Sequence, residues 1–255
     1  MKSARIRTVF AFLACAAIFG PGAFAAGGEQ KETEQVDRSF PMQPGGQLRL
    51  KNFSGKIHIT GSNRGNVVVH AVRRATRDRL DRIHLDIQAS ASEISIDANK
   101  RDSSWREEKE NVVETDFEIE VPQRIRLDVH AFSSDMHIEN IDGRQKLYSF
   151  SGTIRVDDAT GPLEAETFSG EIKAALDRAA AAPDVEASTF SGDIEVKLPP
   201  SPQGRIDFNS FSGSLQSDVP MVYRTGNRRH VRGDLGSGGT NELRFHTFSG
   251  DVRIR

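Results

Sequence analysis

The sequence predicts an all-β protein, a repeat β-solenoid or β-roll of stacked two-stranded units. Three observations predict this fold. A Phe-Ser-Gly motif recurs along the chain, apolar residues alternate on both sides of each copy, and the central copies are 18, 18, 22 and 21 residues apart. A unit of about 20 residues cannot bury its own apolar face, whereas stacked units bury one another's faces. The alternative is a β-sandwich-like meander of short strands, which the same spacing allows.

The motif defines columns of equivalent residues. Its phenylalanines are Phe53, Phe132, Phe150, Phe168, Phe190, Phe211 and Phe248. Its glycines are Gly55, Gly152, Gly170, Gly192, Gly213 and Gly250, and the copy at residue 132 has serine instead. With phenylalanine as position zero, apolar residues fill positions +4 and +6 in nearly every copy, as in Ile194 and Val196. A second alternation fills −5, −3 and −1, as in Leu163, Ala165 and Thr167. A period of two indicates half-buried strands.

Each unit is therefore a strand, a corner at Phe-Ser-Gly and a second strand. Glycine suits a corner that needs a positive φ or a close approach of two backbones. Equivalent residues of stacked units lie about 4.8 Å apart. We therefore expect the phenylalanines to stack as a ladder, with Phe168 and Phe190 buried at equivalent corners.

The N-terminal residues 1–25 resemble a secretory signal peptide. Basic residues are followed by an apolar stretch and by Ala23-Phe24-Ala25, a small-residue cleavage site. A retained membrane anchor and lipidation at Cys15 are the alternatives. Cys15 is the only cysteine, so the mature chain would have no disulfide. We expect an exported protein, in the periplasm or at the cell surface, with a flexible leader at 26–37 and one domain at 38–255.

The domain divides into repeat units, extra elements and insertions. In chain order these are a first unit at 47–60, a strand at 66–72, a helical turn at 76–82, a hidden unit at 85–97 with Ser90 in place of phenylalanine, a charged insertion at 99–115, a strand at 117–121, nearly uninterrupted repeats at 124–219, an excursion at 220–240 and a last unit at 242–255. The last unit is expected to end the stack. The excursion would then fold across its open edge and prevent pairing with other strands.

The sequence resembles the bacterial family of adhesin-like exported β-repeat proteins, which is largely without assigned function. The resemblance rests on Gly-Lys-Ile-His-Ile-Thr-Gly at 55–61, on Val121-Pro122, on the Phe-Ser-Gly-x-Ile/Val copies, and on the closing Thr-Phe-Ser-Gly-Asp-Val at 247–252. It covers roughly residues 38–255. It implies an exported β-repeat fold and no catalytic residues.

Acidic residues form the most regular polar column. Position +3 holds Glu93, Asp135, Glu171, Asp193 and Asp251. A pair of carboxylates could serve a glycosidase, and a row of them could bind calcium. The mixed charges at +5 favour a solvated sheet face with cross-strand pairs. The histidines are scattered, although His58 and His137 share position +5, so we predict no metal site and no cofactor.

The candidate ligand contacts are basic and aromatic residues in the insertions. They are Arg224, Arg228, Arg229 and Arg232 in the excursion, beside His230, and Trp105 in the charged insertion. The formal net charge of −2 is close to zero and indicates no class of partner. The first hypothesis is a non-enzymatic, adhesin-like binding or scaffold module, monomeric, that binds an envelope glycan or another envelope protein and no nucleic acid. The alternatives are a carbohydrate-active enzyme on a β-solenoid and an envelope sensor or assembly partner.

Overall fold

The computed structural model describes residues 31–101, 112–176, 178–179 and 182–255. The predicted signal peptide, the first part of the predicted leader, and Trp105 lie outside the described residues. Within the described residues, no helix is both long and apolar enough to cross a membrane.

The described chain consists almost entirely of β-strands. The N-terminal elements are β1 (Glu32–Pro41), β2 (Gln47–Ser62), β3 (Asn66–Ala75), α1 (Arg77–Arg82), β4 (Ile83–Ala89), β5 (Glu93–Arg101) and β6 (Glu114–Pro122). The central elements are β7 (Arg126–Glu139), β8 (Gln145–Ser151), β9 (Ile154–Asp157), β10 (Leu163–Ser169), β11 (Ile172–Ala175), β12 (Val185–Ser191) and β13 (Ile194–Lys197). The C-terminal elements are β14 (Gly204–Ser210), β15 (Leu215–Ser217), β16 (Met221–Asn227), β17 (His230–Leu235), β18 (Glu242–Ser249) and β19 (Val252–Ile254).

The repeat units stack as coils of a β-solenoid, which confirms the predicted fold. The strands before the corners pair in parallel in the order β5-β2-β7-β8-β10-β12-β18-β14. The strands after the corners pair in the order β6-β2-β7-β9-β11-β13-β19-β15. The long strands β2 and β7 run through their corners and belong to both series.

Equivalent residues of neighbouring coils lie directly opposite one another. Leu163 faces Val185 in the first series, and Ile172 faces Ile194 in the second. All four side chains are buried, because the alternating apolar residues of both series point into one core. Burial of about 1.5–3 kcal/mol per large apolar side chain stabilises each coil against its neighbours.

Two N-terminal segments differ from their predictions. Residues 32–37 of the predicted leader belong to β1, which pairs antiparallel with β3 along its whole length. The predicted hidden unit at 85–97 is an antiparallel hairpin of β4 and β5. Strand β5 lies beside the first half of β2, so Glu93 faces Gln47 and does not belong to the +3 column. Alternation alone does not distinguish a hairpin from a coil, since both present one apolar face.

The predicted position of the last unit was wrong. Strands β18 and β19 lie between the coil β12–β13 and the coil β14–β15. The terminal coil of the stack is therefore the one at 204–217. The excursion is largely the hairpin β16–β17, and β17 pairs antiparallel with β14 at this end. The hairpin therefore covers an open edge as predicted, but the covered edge belongs to β14 and not to the last unit in the chain.

The glycine of each corner is required by the approach of the neighbouring coil. Gly192 has φ +148°, and a Cβ added to it would lie 2.0 Å from the carbonyl oxygen of Gly170. A Cβ added to Gly170 would lie 2.1 Å from the carbonyl oxygen of Gly152. The obstructing atoms are backbone, so they cannot move aside as the end of a flexible side chain would.

We expect Gly192→Ala to lower the free energy of unfolding by about 2–4 kcal/mol, because strain at positive φ adds to overpacking. Urea denaturation measures this change. The matched control is Gly65→Ala, where an added Cβ meets nothing within 4 Å. This control should stay within about 0.5 kcal/mol of the wild type. Equal effects of the two substitutions would contradict the close corner contact.

Candidate functional site

Seven phenylalanine rings form a continuous ladder along the corners, called here the phenylalanine ladder. In spatial order its rings are Phe53, Phe132, Phe150, Phe168, Phe190, Phe248 and Phe211. Neighbouring ring centroids are 4.5–4.9 Å apart, and the ring planes are within 18° of parallel. The ladder is about 29 Å long, six steps at the ~4.8 Å strand spacing.

The ladder is stacked as predicted, but the prediction that it is buried was wrong. Phe168 is 47% exposed and Phe190 is 44% exposed, whereas Phe245 on β18 is fully buried. The cause is the alternation before the corner. Thr167, at position −1, points into the core, so the next residue points outward.

The stacked rings present their edges to solvent and not their faces. Each of the five interior rings has a parallel ring on both sides at about the strand spacing. The faces are therefore covered by neighbouring rings, and the outer surface is a narrow apolar ridge. Large exposed apolar patches on soluble proteins mark interaction surfaces.

A shallow groove of about 590 Å³ runs beside the ladder. Its far wall contains His130 and Tyr148, whose rings stack at 4.7 Å, and Glu166. The Tyr148 hydroxyl donates a hydrogen bond to Glu164. Burial, with the hydrogen bond to Glu164, raises the pKa of Tyr148, so the phenol remains a protonated donor at neutral pH. The groove therefore offers polar groups beside an apolar ridge.

Three of the four carboxylates that form the +3 column bind the backbone of the adjacent coil, whereas the fourth, Glu171, pairs with Lys173. Asp135 accepts a hydrogen bond from the Thr153 amide at 2.9 Å, and Asp193 accepts one from the Asp251 amide at 2.8 Å. Asp251 in turn accepts from the amide and hydroxyl of Ser214, at 2.8 and 2.9 Å. These contacts give the column a structural role between coils.

Two of the predicted basic contacts, Arg224 and Arg232, line one cavity of about 290 Å³, and each is paired with a carboxylate there. Arg224 pairs with Asp234, and Arg232 pairs with Asp207 at 3.1 Å. The guanidinium of Arg229 lies 6.0 Å from the centroid of Phe211, at the end of the ladder. Arg228 is exposed in the turn between β16 and β17. Of this cluster, Arg229 is the residue in contact with the ladder.

One group of side chains in the described ranges has a geometry that could hold a metal ion. It consists of His58, His137 and Glu139, whose ligand atoms lie within 4.8 Å of one another. The prediction of no metal site overlooked it, although the shared +5 position of the two histidines was visible. The missing signal was Glu139, two residues after His137 on the same face of β7.

Asp157 extends this group. Its carboxylate is 2.8 Å from Nε2 of His137 and 2.5 Å from Nε of Arg155. Burial raises the pKa of the Asp157 carboxyl, but the hydrogen bonds from Arg155 and His137 outweigh it, and the net pKa is lowered. Asp157 is therefore ionised at neutral pH.

A β-solenoid with an exposed aromatic ladder is the class of protein that the fold and this surface define. The chain belongs to the Toastrack DUF4097 family, which it matches over residues 41–255. No protein with a curated description is a significant sequence match.

A solved structure shares the fold, and a second covers the same share of this chain. A candidate cell adhesion protein from Clostridium sporogenes is 11% identical, with a TM-score of 0.54, over 87% of this chain and 99% of that one. A candidate adhesin from Bacteroides fragilis is 12% identical, with a TM-score of 0.32, over 87% and 97% of the two chains. At this identity the likeness to the first structure shows the fold alone.

We expect Phe168→Ala to lower the free energy of unfolding by about 1–2 kcal/mol, since the ring is half exposed but stacks on two neighbours. Phe245→Ala should cost about 3–5 kcal/mol, because that ring is fully buried. Urea denaturation of both variants measures the difference. A cost for Phe168→Ala as large as that for Phe245→Ala would show that the ladder is chiefly a stabilising element.

Proposed function

We propose that this protein is an exported, non-enzymatic, adhesin-like module that binds a second copy of itself through the phenylalanine ladder. The observation that carries the proposal is the exposure of the ladder. The corner glycines are fixed by backbone contact, whereas the rings point into solvent and fill no space in the core. Their apolar surface is thus available to a partner.

The period of the ladder favours a β-repeat partner. Rings spaced by one strand step are matched along their whole length by side chains that have the same spacing. The ladder of a second copy meets this condition. In a two-fold arrangement the same patch serves both copies, with the Phe53 end of one ladder against the Phe211 end of the other.

The exposed area is sufficient for such a contact. Seven phenylalanines, most nearly half exposed, offer roughly 600–700 Å² of apolar surface per copy, at about 150–250 Å² per whole ring. A standard protein interface buries about 800 Å² per partner. Serines at position +1 and the polar wall of the groove would supply the rim, which is the usual arrangement around an apolar centre.

Binding of an envelope glycan through the ladder has less support. Sugar rings pack flat against the faces of aromatic side chains, and the interior rings of the ladder have both faces covered. The enzyme alternative is weakened, because Asp135, Asp193 and Asp251 are engaged with the backbone of adjacent coils and Glu171 pairs with Lys173. A binding role is therefore better supported than catalysis.

We expect the full chain to associate as its concentration rises. The triple variant Phe150→Ser, Phe168→Ser, Phe190→Ser should remain monomeric, because it removes the centre of the ridge. Size-exclusion chromatography with light scattering over a hundredfold concentration range measures the mass. The matched control is Val222→Ser with Tyr223→Ser on β16, where both side chains are exposed but lie off the ladder.

The control variant should associate like the wild type. A wild-type protein that is monomeric at every concentration would rule out self-association. A triple variant that associates as strongly as the wild type would show that the ladder is not the surface through which the copies associate. Circular dichroism of the triple variant checks that the coils remain folded.

Export is the second part of the proposal. Cleavage after Ala25 should give a mature protein without cysteine, located in the periplasm or outside the cell. N-terminal sequencing and intact mass of the protein recovered from its native compartment measure the processing site. Retention of residues 1–20, or a lipid attached to Cys15, would contradict this part of the proposal.

A further inference from the structure

Two histidines stand side by side on neighbouring coils. His58 on β2 is directly opposite His137 on β7 in the parallel register. Their rings are stacked, with centroids 4.9 Å apart and planes 7° from parallel. Both side chains are about one third exposed, so an ion can reach them from solvent.

Both imidazoles direct Nε2 toward the carboxylate of Glu139. One carboxylate oxygen is 2.9 Å from Nε2 of His137, and the other is 3.7 Å from Nε2 of His58. Asp157 adds a further oxygen 2.8 Å from Nε2 of His137. The ligand atoms of His58, His137 and Glu139 thus lie within 4.8 Å of one another, and Asp157 approaches from the side of His137.

The hydrogen bond of Nδ1 of His58 determines that Nε2 is the nitrogen available to a metal. Nδ1 is 2.9 Å from a carboxylate oxygen of Glu118 on β6. An ionised carboxylate only accepts hydrogen bonds, so Nδ1 carries the proton and Nε2 of the neutral ring keeps its lone pair. A carboxylate behind a histidine in this way orients metal-binding histidines and raises their basicity.

The charges around the imidazoles also match a divalent ion. Three carboxylates contact the two histidines, those of Glu118, Glu139 and Asp157. Arg155 pairs with Asp157 and offsets one of these charges. With neutral imidazoles, two negative charges remain.

We propose that His58, His137 and Glu139, with Asp157 as the fourth ligand, form a zinc-binding site on the surface of the solenoid. Two nitrogens and two oxygens suit the tetrahedral coordination of Zn²⁺. Ca²⁺ and Mg²⁺ prefer sets of oxygen ligands, so imidazoles select against them. Small rotations of these partly exposed side chains would bring the donor atoms to zinc distances of about 2.0–2.2 Å.

Binding at Nε2 of His137 requires a change of tautomer. In the metal-free protein, Nε2 lies against two carboxylates and carries the proton that it donates to them. When zinc binds to Nε2, that proton is carried by Nδ1 instead, and the ring remains neutral. The bound ion joins β2, β7 and β9, and Glu118 on β6 supports it from outside.

Isothermal titration calorimetry of the untagged full chain with ZnCl₂, after removal of metals by a chelator, tests the site. We expect one zinc ion per chain, and no heat of binding with MgCl₂ or CaCl₂. The double variant His58→Ala, His137→Ala should lose the binding. Glu118→Gln should weaken it about 10- to 100-fold, as expected for an outer carboxylate.

The matched control is His70→Ala. His70 is also a strand histidine beside a carboxylate, 2.6 Å from Asp37, but it stands on β3, outside the proposed ligand set. This variant should bind zinc like the wild type. Zinc at about a hundred times its dissociation constant should also raise the melting temperature of the wild type by about 5–10 °C, with no such shift in the double variant.

Three results would overturn the proposal. The first is a wild-type protein that binds no zinc. The second is a double variant with unchanged zinc affinity, and the third is equal loss of affinity in His70→Ala. Binding of Cu²⁺ without Zn²⁺ would overturn the zinc assignment. The melting temperatures of the metal-free variants show whether any loss arises from unfolding.

Discussion

The close packing of one corner backbone on the next is the constraint on which the rest of the structure depends. The amide of Gly170 donates to the carbonyl of Ser191, and the amide of Gly192 donates to the carbonyl of Ser249. At these corners a side chain would collide with the adjacent coil. Backbone contact of this kind sets the distance between coils and leaves no room for a shift in register. Every other position of the repeat then becomes a straight column of side chains.

The columns explain why the surface groups of this protein occur as rows. Phenylalanines at position zero make an apolar ridge, three aspartates at +3 bind the next coil, and two histidines at +5 contact a glutamate. Each row has a property that its single members lack, because strand spacing brings like groups within reach of one another. Changing one residue in each repeat changes a whole strip of surface while the core positions remain as they are.

The sequence was sufficient to predict the solenoid, since period-two alternation and the Phe-Ser-Gly spacing depend on local geometry. One feature that the pattern contained was misinterpreted, and two others depend on contacts between distant segments. The exposure of Phe168 could be predicted from the sequence, because the alternation that places Thr167 in the core points the next residue outward. The hairpin at β4–β5 has the same alternation as a coil. The place of β18–β19 depends on pairing with β12 and β14, and no local signal encodes that choice.

Some features of the candidate site could likewise be predicted from the sequence, and others could not. The residues of the ladder are recognisable as a column from the sequence alone, because their identity and spacing repeat. The convergence of His58, His137, Glu139 and Asp157 is not recognisable there, because these residues come from three strands and only the stacking order places them together. The basic residues of the excursion form a cluster in sequence, but Arg232 and Arg224 are paired with Asp207 and Asp234, which the sequence did not indicate.

The insertion of β18–β19 between two earlier coils has a consequence for the order in which the molecule forms. During synthesis the coils up to β13 can stack as they emerge, but β14–β15 lacks its neighbour until residues 242–254 exist. Such long-range pairing forms slowly, because the entropy cost of closing a long loop precedes the stabilising contacts. The edge of β12 and β13 therefore stays unpaired until β18 and β19 are in place.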